Sequence, residues 1–520
     1  MNIRKTLQGV MTSIFVLLLS YLACTNLVLI REPLEGYKNK ELTFAEAKDV
    51  ITSAYPEKLK QKYQFINLNG LFVRLTGGRV CNDIVLLKNK MLTDAEVPEV
   101  DTSQNAYFVQ DLSHQLESIG IDFLYVQSPA KMDLNNELCP TGIENEGNHN
   151  ADQLVNELEN NGVDVLDLRK DMADSEEHIS QYFYKTDHHW NPFGAFKAFG
   201  EICEHMGEKY PEIKENSNYW DINNWEVNKK EKWFLGSRGK RTGVYFAGVD
   251  DLIWLTPKFG TEMSFGNVYN GEFYYGDYSY ANIRDKYINE KDYFEYNAYG
   301  VYVGGDFKLV KHRNNNAPVK KKMLFVKESF GMPLETFFST LFSEVDVIDM
   351  RYYKTGSLDE YILDSTPDMV IMNVNAYDVG ETNIFGTGAD VALDQGEFSK
   401  IFENDSILIN MDSENDLNML PVYSGIEAGK RYKLTVDDVY VTEGATDAIS
   451  LYLHDANDDS YYDADMWDLN YCKNNGKYEW TFTAPYDAGN LDLVVFSGII
   501  GKTSGSGIGM SGINLYEYTY

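Results

Sequence analysis

The chain has 520 residues, of which 46 are Lys or Arg and 80 are Asp or Glu, so its formal net charge is -34. With 43% hydrophobic and 14% aromatic residues it has ample material for packed cores, which excludes a disordered chain. The acidity also excludes a nucleic-acid partner, because such proteins gain affinity by releasing counterions from phosphates with a basic surface. The length predicts roughly two to four domains.

The first thirty residues form a segment that is typical of a membrane anchor. Arg4 and Lys5 precede residues 6–30, a run of 25 residues that contains no Asp, Glu, Lys or Arg. This run is long enough to span a bilayer, and the positive charge before it predicts that everything after Arg31 lies outside the cell. A cleaved secretory signal is the alternative, because small residues occur at 20–23. We therefore predict a single-pass cell-membrane protein anchored by residues 1–31, or a secreted protein if that segment is removed.

Residues 32–80 are predicted to form a linker with helical character close to the membrane. Thr43 and Glu46 have the spacing of a capping box at the start of a helix over residues 43–59. Residues 70–80 contain three glycines and are predicted to form a turn before the next domain.

Residues 81–402 are predicted to form one α/β domain. Apolar runs typical of buried strands alternate with segments whose apolar residues have helical spacing. Strands are predicted at 121–126, 163–168, 322–326, 345–349 and 369–372, and helices at 108–119, 151–160, 333–342 and 358–364. Strands separated by amphipathic helices predict a mostly parallel sheet. Residues 210–319 interrupt this pattern without a convincing helix, which predicts an insertion of loops and short strands.

Residues 403–520 have a different pattern, which predicts a C-terminal all-β sandwich. Short strand-like runs separated by Gly, Asn and Asp turns occur at 407–409, 432–439, 448–453, 478–482 and 491–496, and residues 498–512 are assigned to a connection. A module of this kind beside an exterior catalytic domain suggests carbohydrate binding. Trp467 and Trp480 lie either on its binding surface or in its core.

The most specific chemical signal is the Asp-His-His-Trp sequence at residues 187–190. Side chains alternate in an extended segment, so Asp187 and His189 are predicted to share one side while His188 points away. Asn191 followed by Pro192 is typical of a helix start, which puts the pair on a loop that leads into a helix. A carboxylate and an imidazole at one site can activate a nucleophile. A buried histidine that only packs beside the following tryptophan is the alternative.

A second signal lies 140 residues further along the chain, where an apolar strand leads through Lys327 and Glu328 into Ser329. Helical spacing begins a few residues after this serine. A serine between a strand and a helix presents its hydroxyl at the sheet edge, with a free backbone N–H and the positive end of the helix dipole nearby. That environment suits a nucleophile whose attack produces an oxyanion, although a serine at a helix start is often only a cap.

These blocks resemble the DHHW proteins, a family related to the alginate O-acetylation proteins and to the SGNH hydrolase superfamily. The resemblance covers about residues 82–378 and rests on residues 122–129, 163–169, 185–190, 327–331, 347–352 and 367–371. It implies an SGNH-like fold in which the aspartate and the histidine precede the serine in the chain. One difference is Glu328, which occupies a position where an aspartate commonly precedes the serine.

By this resemblance Ser329 is the nucleophile, His189 is the general base and Asp187 orients the imidazole. The implied reaction is acyl transfer through an acetyl-serine, and the implied enzyme is a cell-surface O-acetyltransferase or acetylesterase that acts on a polysaccharide. Its acetyl donor could come through a membrane-bound O-acyltransferase, and no cofactor is implied. The alternative is a non-catalytic glycan-binding or exopolysaccharide assembly protein that retains the fold.

Arg351, Asn373 and Asn375 are the candidates for further oxyanion or substrate contacts. Arg351 follows a strand end, and the two asparagines lie at the carboxyl edge of the sheet, where open α/β sheets place their sites. Each has a structural alternative, an ion pair for the arginine and a turn for the asparagines. Gly236 and Ser237, together with residues 241–243 of the insertion, are predicted to line the substrate groove.

No metal site is predicted from the sequence. An Asp-His-His string also occurs in phosphoesterases that bind two divalent metals, but such sites need further aspartates at strand ends that the sequence does not offer. Residues 455–466 begin like a calcium loop but have Ser460 and Met466 where an EF-hand needs Gly and Glu.

Overall fold

The structure is a computed structural model that describes residues 12–13, 16–17, 19–22, 24–40, 42–267, 272–353, 357–385, 397–410, 416–441, 448–457, 460–468, 478–484, 487–497 and 507–519. The N-terminal region contains the helices α1 (Leu27–Lys38), α2 (Phe44–Lys58) and α3 (Lys62–Leu75). No helix within the described ranges is long and apolar enough to cross a membrane. Part of the predicted anchor over residues 1–31 lies outside the described residues.

One prediction for this region is confirmed and another is wrong. The Thr43 hydroxyl accepts a hydrogen bond from the Glu46 backbone N–H, and the Glu46 carboxylate accepts one from the Thr43 N–H, which is the predicted capping box of α2. Gly70, assigned to a turn, lies inside α3. A Cβ at Gly70 would lie 1.9 Å from the Thr242 carbonyl oxygen, so the glycine allows two backbones to approach closely.

The central domain alternates strands and helices. It begins with a small antiparallel sheet of β1 (Val80–Cys81), β2 (Ile84–Leu86) and β3 (Leu92–Asp94). The strands that follow are β4 (Asp122–Ser128), β5 (Val165–Asp167), β6 (Trp225–Phe234), β7 (Asp250–Pro257), β8 (Met263–Asn267), β9 (Glu272–Gly276), β10 (Leu309–Asn314), β11 (Val319–Lys327), β12 (Phe342–Ile348) and β13 (Met369–Asn375). Its helices are α4 (Ser103–Ser118), α5 (Gly147–Asn160), α6 (Arg169–Met172), α7 (Glu176–Tyr182), α8 (Pro192–Met206), α9 (Pro211–Lys214), α10 (Ser237–Thr242), α11 (Val244–Ala247), α12 (Tyr278–Asn282), α13 (Asp285–Asn289), α14 (Gly331–Leu341), α15 (Leu358–Ser365) and α16 (Thr382–Phe385).

In the part of the chain that the structure describes, the central sheet has the strand order β5-β4-β13-β11-β12-β10-β8-β9. The run from β5 to β12 is parallel throughout, whereas β10, β8 and β9 pair antiparallel at one edge. The predicted α/β class with a mostly parallel sheet is confirmed. Residues 210–319, predicted to contain loops and short strands, do contain short strands, of which β8, β9 and β10 extend the central sheet. The region also contains short helices, which the sequence did not predict.

The sheet separates two hydrophobic cores, and the side chains of β11 alternate between them. Met323 and Phe325 point into the core that contains α8 and α14, while Leu324 and Val326 point into the core that contains α4, α5 and α15. A strand that is buried on both faces must be apolar at successive positions. The apolar run before Ser329 is therefore the physical requirement of a central parallel strand.

The C-terminal region consists of antiparallel sheets. Its strands are β14 (Glu397–Asn410), β15 (Asp416–Tyr423), β16 (Arg431–Val441), β17 (Ala448–Asp455), β18 (Ser460–Asp468), β19 (Tyr478–Thr483), β20 (Leu491–Ser497) and β21 (Gly507–Thr519). In the described ranges the sheets have the orders β14-β21-β16-β19 and β15-β20-β17-β18, and Leu434, Leu453, Leu493 and Leu515 join them in one core. Residues 507–512, assigned to a connection, belong to β21. The side chains of Trp467 and Trp480 lie outside what the structure describes.

Candidate active site

Asp187 and His189 lie on the loop between α7 and α8. The side-chain oxygen of Asn191 accepts hydrogen bonds from the backbone N–H groups of Phe193 and Gly194, at 2.9 and 3.2 Å, and a proline opens α8. This is the helix start that the sequence predicts. The cap fixes the end of the loop immediately after the two candidate side chains.

The structure brings Ser329 to this pair. His189 Nδ1 lies 2.5 Å from Asp187 Oδ1, and His189 Nε2 lies 2.7 Å from Ser329 Oγ. The hydrogen-bond partners assign the tautomer: Nδ1–H donates to the carboxylate, so the lone pair of Nε2 faces the serine hydroxyl. All three side chains are buried. An alcohol hydrogen-bonded to an imidazole that a carboxylate orients is the arrangement of an activated nucleophile.

The Asp187 carboxylate has a fixed donor on each oxygen. Oδ1 accepts from the His189 backbone N–H at 3.0 Å, and Oδ2 accepts from the Ser237 N–H at 2.7 Å. A Cβ at Gly236 would lie 2.3 Å from the Cα and Cβ of Asp187, so the approach of this segment requires a glycine. Gly236 and Ser237, predicted to line the substrate groove, instead hold the aspartate.

Asp187 is ionised at neutral pH. Burial alone would raise its pKa, but the neighbouring His189 and His188 rings and the hydrogen bonds from His189 outweigh burial and hold the pKa well below its usual range. Tyr299 stacks on the His189 ring, with centroids 3.8 Å apart and an angle of 4° between the planes. The imidazole therefore has a fixed orientation and a negative charge beside its Nδ1.

Ser329 lies in the turn between β11 and α14. Among the described residues its backbone N–H has no hydrogen-bond acceptor, so this group can donate to an oxyanion that forms on an attacked carbonyl. The indole Nε1 of Trp190 donates to the Phe330 carbonyl oxygen at 3.1 Å, which ties the loop of the acid–base pair to the turn of the serine.

Glu328 folds back over the serine turn. Its Oε2 accepts from the Phe330 N–H at 2.9 Å and lies 3.2 Å from Ser329 Oγ. Burial, followed by the nearby Asp378 carboxylate, raises the pKa of Glu328 to about 8, against a partial opposing effect of Arg351. The residue where this chain differs from the family pattern is thus a largely protonated acid that spans the turn.

A cavity of about 250 Å³ opens in front of Ser329. Its lining includes the cations Lys131, Arg238 and Arg351 together with Asn375 and Asp378. Pockets for drug-sized ligands measure about 300–1,000 Å³, so this cavity suits an acyl group and part of a sugar ring. The serine hydroxyl is therefore at the wall of a space that a small ester can enter.

The three further candidates for oxyanion or substrate contacts are placed differently. Arg351 lines the cavity, but Asp349 binds its guanidinium at 2.9 and 2.6 Å and Asp306 lies 3.2 Å away. Asn375 also lines the cavity, and its amide donates to Asp378. Asn373 is fully buried, with Oδ1 accepting from the Ser128 hydroxyl at 2.6 Å. The structure thus brings Arg351 and Asn375 to the serine and leaves Asn373 beneath the sheet edge.

Lys131 was not recognised from the sequence. Its buried ammonium donates to the backbone carbonyls of Lys185, at 3.2 Å, and of Asp187, and burial together with Arg238 lowers its pKa to about 7. Its position could have indicated a site residue, because it follows β4 at the carboxyl edge of the parallel sheet. Arg238 and Tyr299 come from the irregular insertion, where no periodicity marks them.

His188 does not point away from the site. Its ring centroid lies 3.6 Å from that of His189, its Nδ1 lies 2.8 Å from Ser237 Oγ, and the residue lines the cavity. The alternation rule fails because the segment is a bend rather than a strand. Within the described ranges, Asp187, His188 and His189 are also the group whose possible metal-ligand atoms lie within 4.8 Å of one another. Both ring nitrogens of His189 already have partners, so a metal would have to displace the serine or the carboxylate.

The α/β domain with its mostly parallel sheet is similar to SGNH hydrolase-like domains. Residues 86–224 match the family model described as "SGNH hydrolase-like domain, acetyltransferase AlgX". This match confirms the relation to the alginate O-acetylation proteins that the sequence blocks indicate. No curated protein matches the sequence.

Solved structures give further similarities. Bacillus cereus PatB1 is 19% identical, with a TM-score of 0.48 over 58% of this chain and 98% of that chain. A DHHW family protein from Eubacterium siraeum is 20% identical, with a TM-score of 0.43 over 59% and 95%. Pseudomonas aeruginosa AlgX is 13% identical, with a TM-score of 0.32 over 84% and 94%.

Proposed function

We propose that this protein is an O-acetyltransferase or acetylesterase that acts on a polysaccharide through an acetyl-Ser329 intermediate. The observation that carries the proposal is the 2.7 Å contact between Ser329 Oγ and His189 Nε2 at the wall of an open cavity. The description of the matched family as an acetyltransferase supports acetyl as the acyl group.

In the first half-reaction Ser329 Oγ attacks the carbonyl carbon of an acetyl ester. Its proton moves to His189 Nε2, and Asp187 stabilises the imidazolium without taking the proton. The free Ser329 N–H donates to the oxyanion of the tetrahedral intermediate. When this intermediate collapses, the bond to the leaving alcohol breaks and the alcohol takes the proton from His189. The acetyl group stays on the serine.

In the second half-reaction an acceptor hydroxyl attacks the acetyl-serine, and His189 Nε2 removes its proton. When this second tetrahedral intermediate collapses, the bond between the acetyl carbon and Ser329 Oγ breaks, and Oγ takes the proton from His189. A sugar hydroxyl as acceptor gives an acetylated polysaccharide, whereas water gives acetate. The two outcomes share every residue of the triad and differ only in which acceptor the cavity holds or excludes.

The proposed setting is the cell exterior, with a polysaccharide as substrate and an acetyl donor supplied through a membrane-bound O-acyltransferase. The apolar run at residues 6–30, preceded by Arg4 and Lys5, supports the exterior location. Binding of the glycan by the C-terminal antiparallel sheets is part of the same proposal. Fractionation of cells followed by protease accessibility tests the location.

The catalytic proposal is tested with 4-nitrophenyl acetate and the full chain. We expect Ser329→Ala to lower kcat by on the order of 10⁶, because a triad without its nucleophile retains only the contribution of oxyanion binding. Ser118→Ala is the matched control, since Ser118 is an exposed serine at the end of α4. Intact-protein mass spectrometry after a rapid quench is expected to show one added acetyl group on the wild type and on the control.

The same measurements separate catalysis from the alternative of a non-catalytic glycan-binding protein. Equal rates for the wild type and Ser329→Ala, together with no acetyl group on Ser329, would overturn the proposed enzyme. Circular dichroism of each variant shows whether a lost rate comes from lost folding.

A further inference from the structure

The helix α3 (Lys62–Leu75) carries an apolar stripe on its exposed face. Phe65, Leu68, Phe72 and Leu75 are three or four positions apart, which puts them on one side of the helix. Their exposed fractions are 39%, 57%, 66% and 77%. Single exposed apolar residues are normal on a protein surface, but a contiguous row of large ones marks an interaction site.

The opposite face of α3 is fixed to the central domain. Gly70 packs directly on the Thr242 carbonyl, and the side-chain oxygen of Asn67 accepts a hydrogen bond from the Val244 N–H at 2.8 Å. These contacts set the rotation of the helix about its axis. The stripe therefore cannot turn inward without breaking the packing at Gly70.

The charge around the stripe is opposite to that of the whole chain. Residues 58–82 contain Lys58, Lys60, Lys62, Arg74 and Arg79 and no Asp or Glu, in a protein with a net charge of -34. Lys58 and Lys60 lie just before the stripe, Arg74 lies beside its last residue, and all three are exposed. An exposed apolar face bordered by cations is the signature of a helix that lies on an anionic lipid surface.

The start of α3 is also bonded to the end of the N-terminal apolar run. The Asn26 side-chain oxygen accepts from the Lys60 N–H at 3.0 Å, its amide donates to the Gln61 side chain at 2.9 Å, and the Gln61 amide donates to Thr25 Oγ1 at 3.1 Å. Residues 25 and 26, near the end of the uncharged run, are therefore bonded to the two residues that precede α3. This continuity favours a lipid surface over a second acidic copy of the chain.

We propose that α3 docks on the surface of a bilayer that contains anionic phospholipids. The stripe Phe65, Leu68, Phe72 and Leu75 lies at the boundary between headgroups and acyl chains, and Lys58, Lys60 and Arg74 contact the headgroups. The proposal does not depend on the catalytic role of Ser329.

Docking at α3 is linked to the candidate active site through a short series of contacts. Gly70 of α3 packs on Thr242, the last residue of α10, and Ser237, the first residue of α10, donates to Asp187. The helix that touches the lipid thus supports the short helix that holds the aspartate.

The test places an environment-sensitive fluorophore on the stripe of the full chain. Phe72→Cys in a Cys24→Ser background is labelled and reconstituted into vesicles of phosphatidylcholine alone or with phosphatidylglycerol. We expect a blue shift of the emission and quenching by lipid-borne quenchers in the anionic vesicles only. Tyr107→Cys, on an exposed position of α4, is the matched control and should show neither.

Neutralising the cations sharpens the result. Lys58→Gln, Lys60→Gln and Arg74→Gln together are expected to remove most of the blue shift, because each contact is worth about fivefold in partitioning. An emission unchanged by either vesicle, or shifted equally by both, would overturn the proposal. A shift that appears without lipid and rises with protein concentration would instead assign the stripe to an interface between copies, and would equally overturn it.

Discussion

The two parts of the candidate site are built in different ways. Ser329 is positioned by main chain, because it lies where the buried second half of β11, residues 323–327, passes into a fully buried helix. Asp187 and His189 are positioned by a second segment of chain, since the Ser237 N–H, the backbone at Gly236 and the Tyr299 ring all come from residues 210–319. The junction of β11 and α14 thus places the nucleophile without the insertion, whereas the acid–base pair needs the insertion.

This difference indicates where substitutions should matter. A change that leaves the backbone of β11 and α14 intact should leave Ser329 in place. A change in the insertion, even at a residue that never contacts substrate, should displace the aspartate and with it the imidazole. The following variants break or sharpen this contrast, in order of decreasing effect.

Asp187→Asn is expected to have the largest effect. The amide cannot accept from His189 Nδ1–H and Ser237 N–H as a carboxylate does, so the imidazole loses its tautomer and its charge partner. We expect kcat for 4-nitrophenyl acetate to fall by about 10⁴ with KM little changed. Asp111→Asn, at an exposed position of α4, is the control and should keep the wild-type rate. A loss of less than tenfold in Asp187→Asn would contradict the assigned role.

Gly236→Ala tests the support of the aspartate by the insertion. The added Cβ would lie 2.3 Å from Asp187 and must push that segment away. A displacement of about 1 Å costs on the order of 10²-fold in rate. Gly260→Ala is the matched control, because no atom lies within 4 Å of the added Cβ. Steady-state rates of the two variants are compared at equal folded fractions, which thermal melts check. Equal rates for Gly236→Ala and Gly260→Ala would refute the role of the insertion in positioning the aspartate.

His188→Ala should have a smaller effect. The change removes the hydrogen bond to Ser237 Oγ and the ring that packs on His189, but it leaves every contact of the triad itself. We expect a loss of about fivefold in kcat, in line with one hydrogen bond of about 1 kcal/mol. His149→Ala, at an exposed position of α5, provides the reference. Should His188→Ala lose as much as Asp187→Asn, His188 would have to act in the chemistry itself.

Glu328→Gln examines the serine turn and should mainly change the pH dependence of stability. The pKa of Glu328 rises from about 4.5 to about 8 on folding, so the folded chain keeps a proton that the unfolded chain has lost. Stability therefore falls as pH rises from about 4.5 to 8, by on the order of a few kcal/mol. Glu328→Gln should flatten this fall, whereas Glu208→Gln, at an exposed position, should not. Urea unfolding midpoints at pH 5 and pH 8 measure the loss of stability with pH. If Glu328→Gln loses as much stability between these pH values as the wild type, the raised pKa of Glu328 is contradicted.

The sequence predicts those parts of the fold that a repeating pattern specifies. The apolar runs of β4, β11 and β13 are forced by burial on both sides of the sheet, and the Asn191 cap has a local sequence signature. The place of β8, β9 and β10 could not be predicted in the same way. Their pairing depends on contacts with distant strands, such as β10 with β12, and no local pattern encodes it.

The candidate site divides along the same line. Asp187, His189 and Ser329 were identifiable because each lies in a block with a motif or a strand end. The prediction that His188 points away from the site is wrong, because the side-chain alternation of an extended strand does not hold in a bend. The stacking of Tyr299 on His189 could not be predicted, because the two residues are far apart in the chain and no sequence spacing relates them.

The hydrogen bond from the Trp190 indole to the Phe330 carbonyl closes a loop of 140 residues. Closing a loop of this size costs conformational entropy, so we expect this closure to form late during folding. We therefore expect the Ser329 hydroxyl, the His189 imidazole and the Asp187 carboxylate to meet only after the intervening chain has folded. Among the described residues, that chain includes the antiparallel edge strands β8, β9 and β10. A partly folded chain that already has its central strands would carry the serine and still lack a base to activate it.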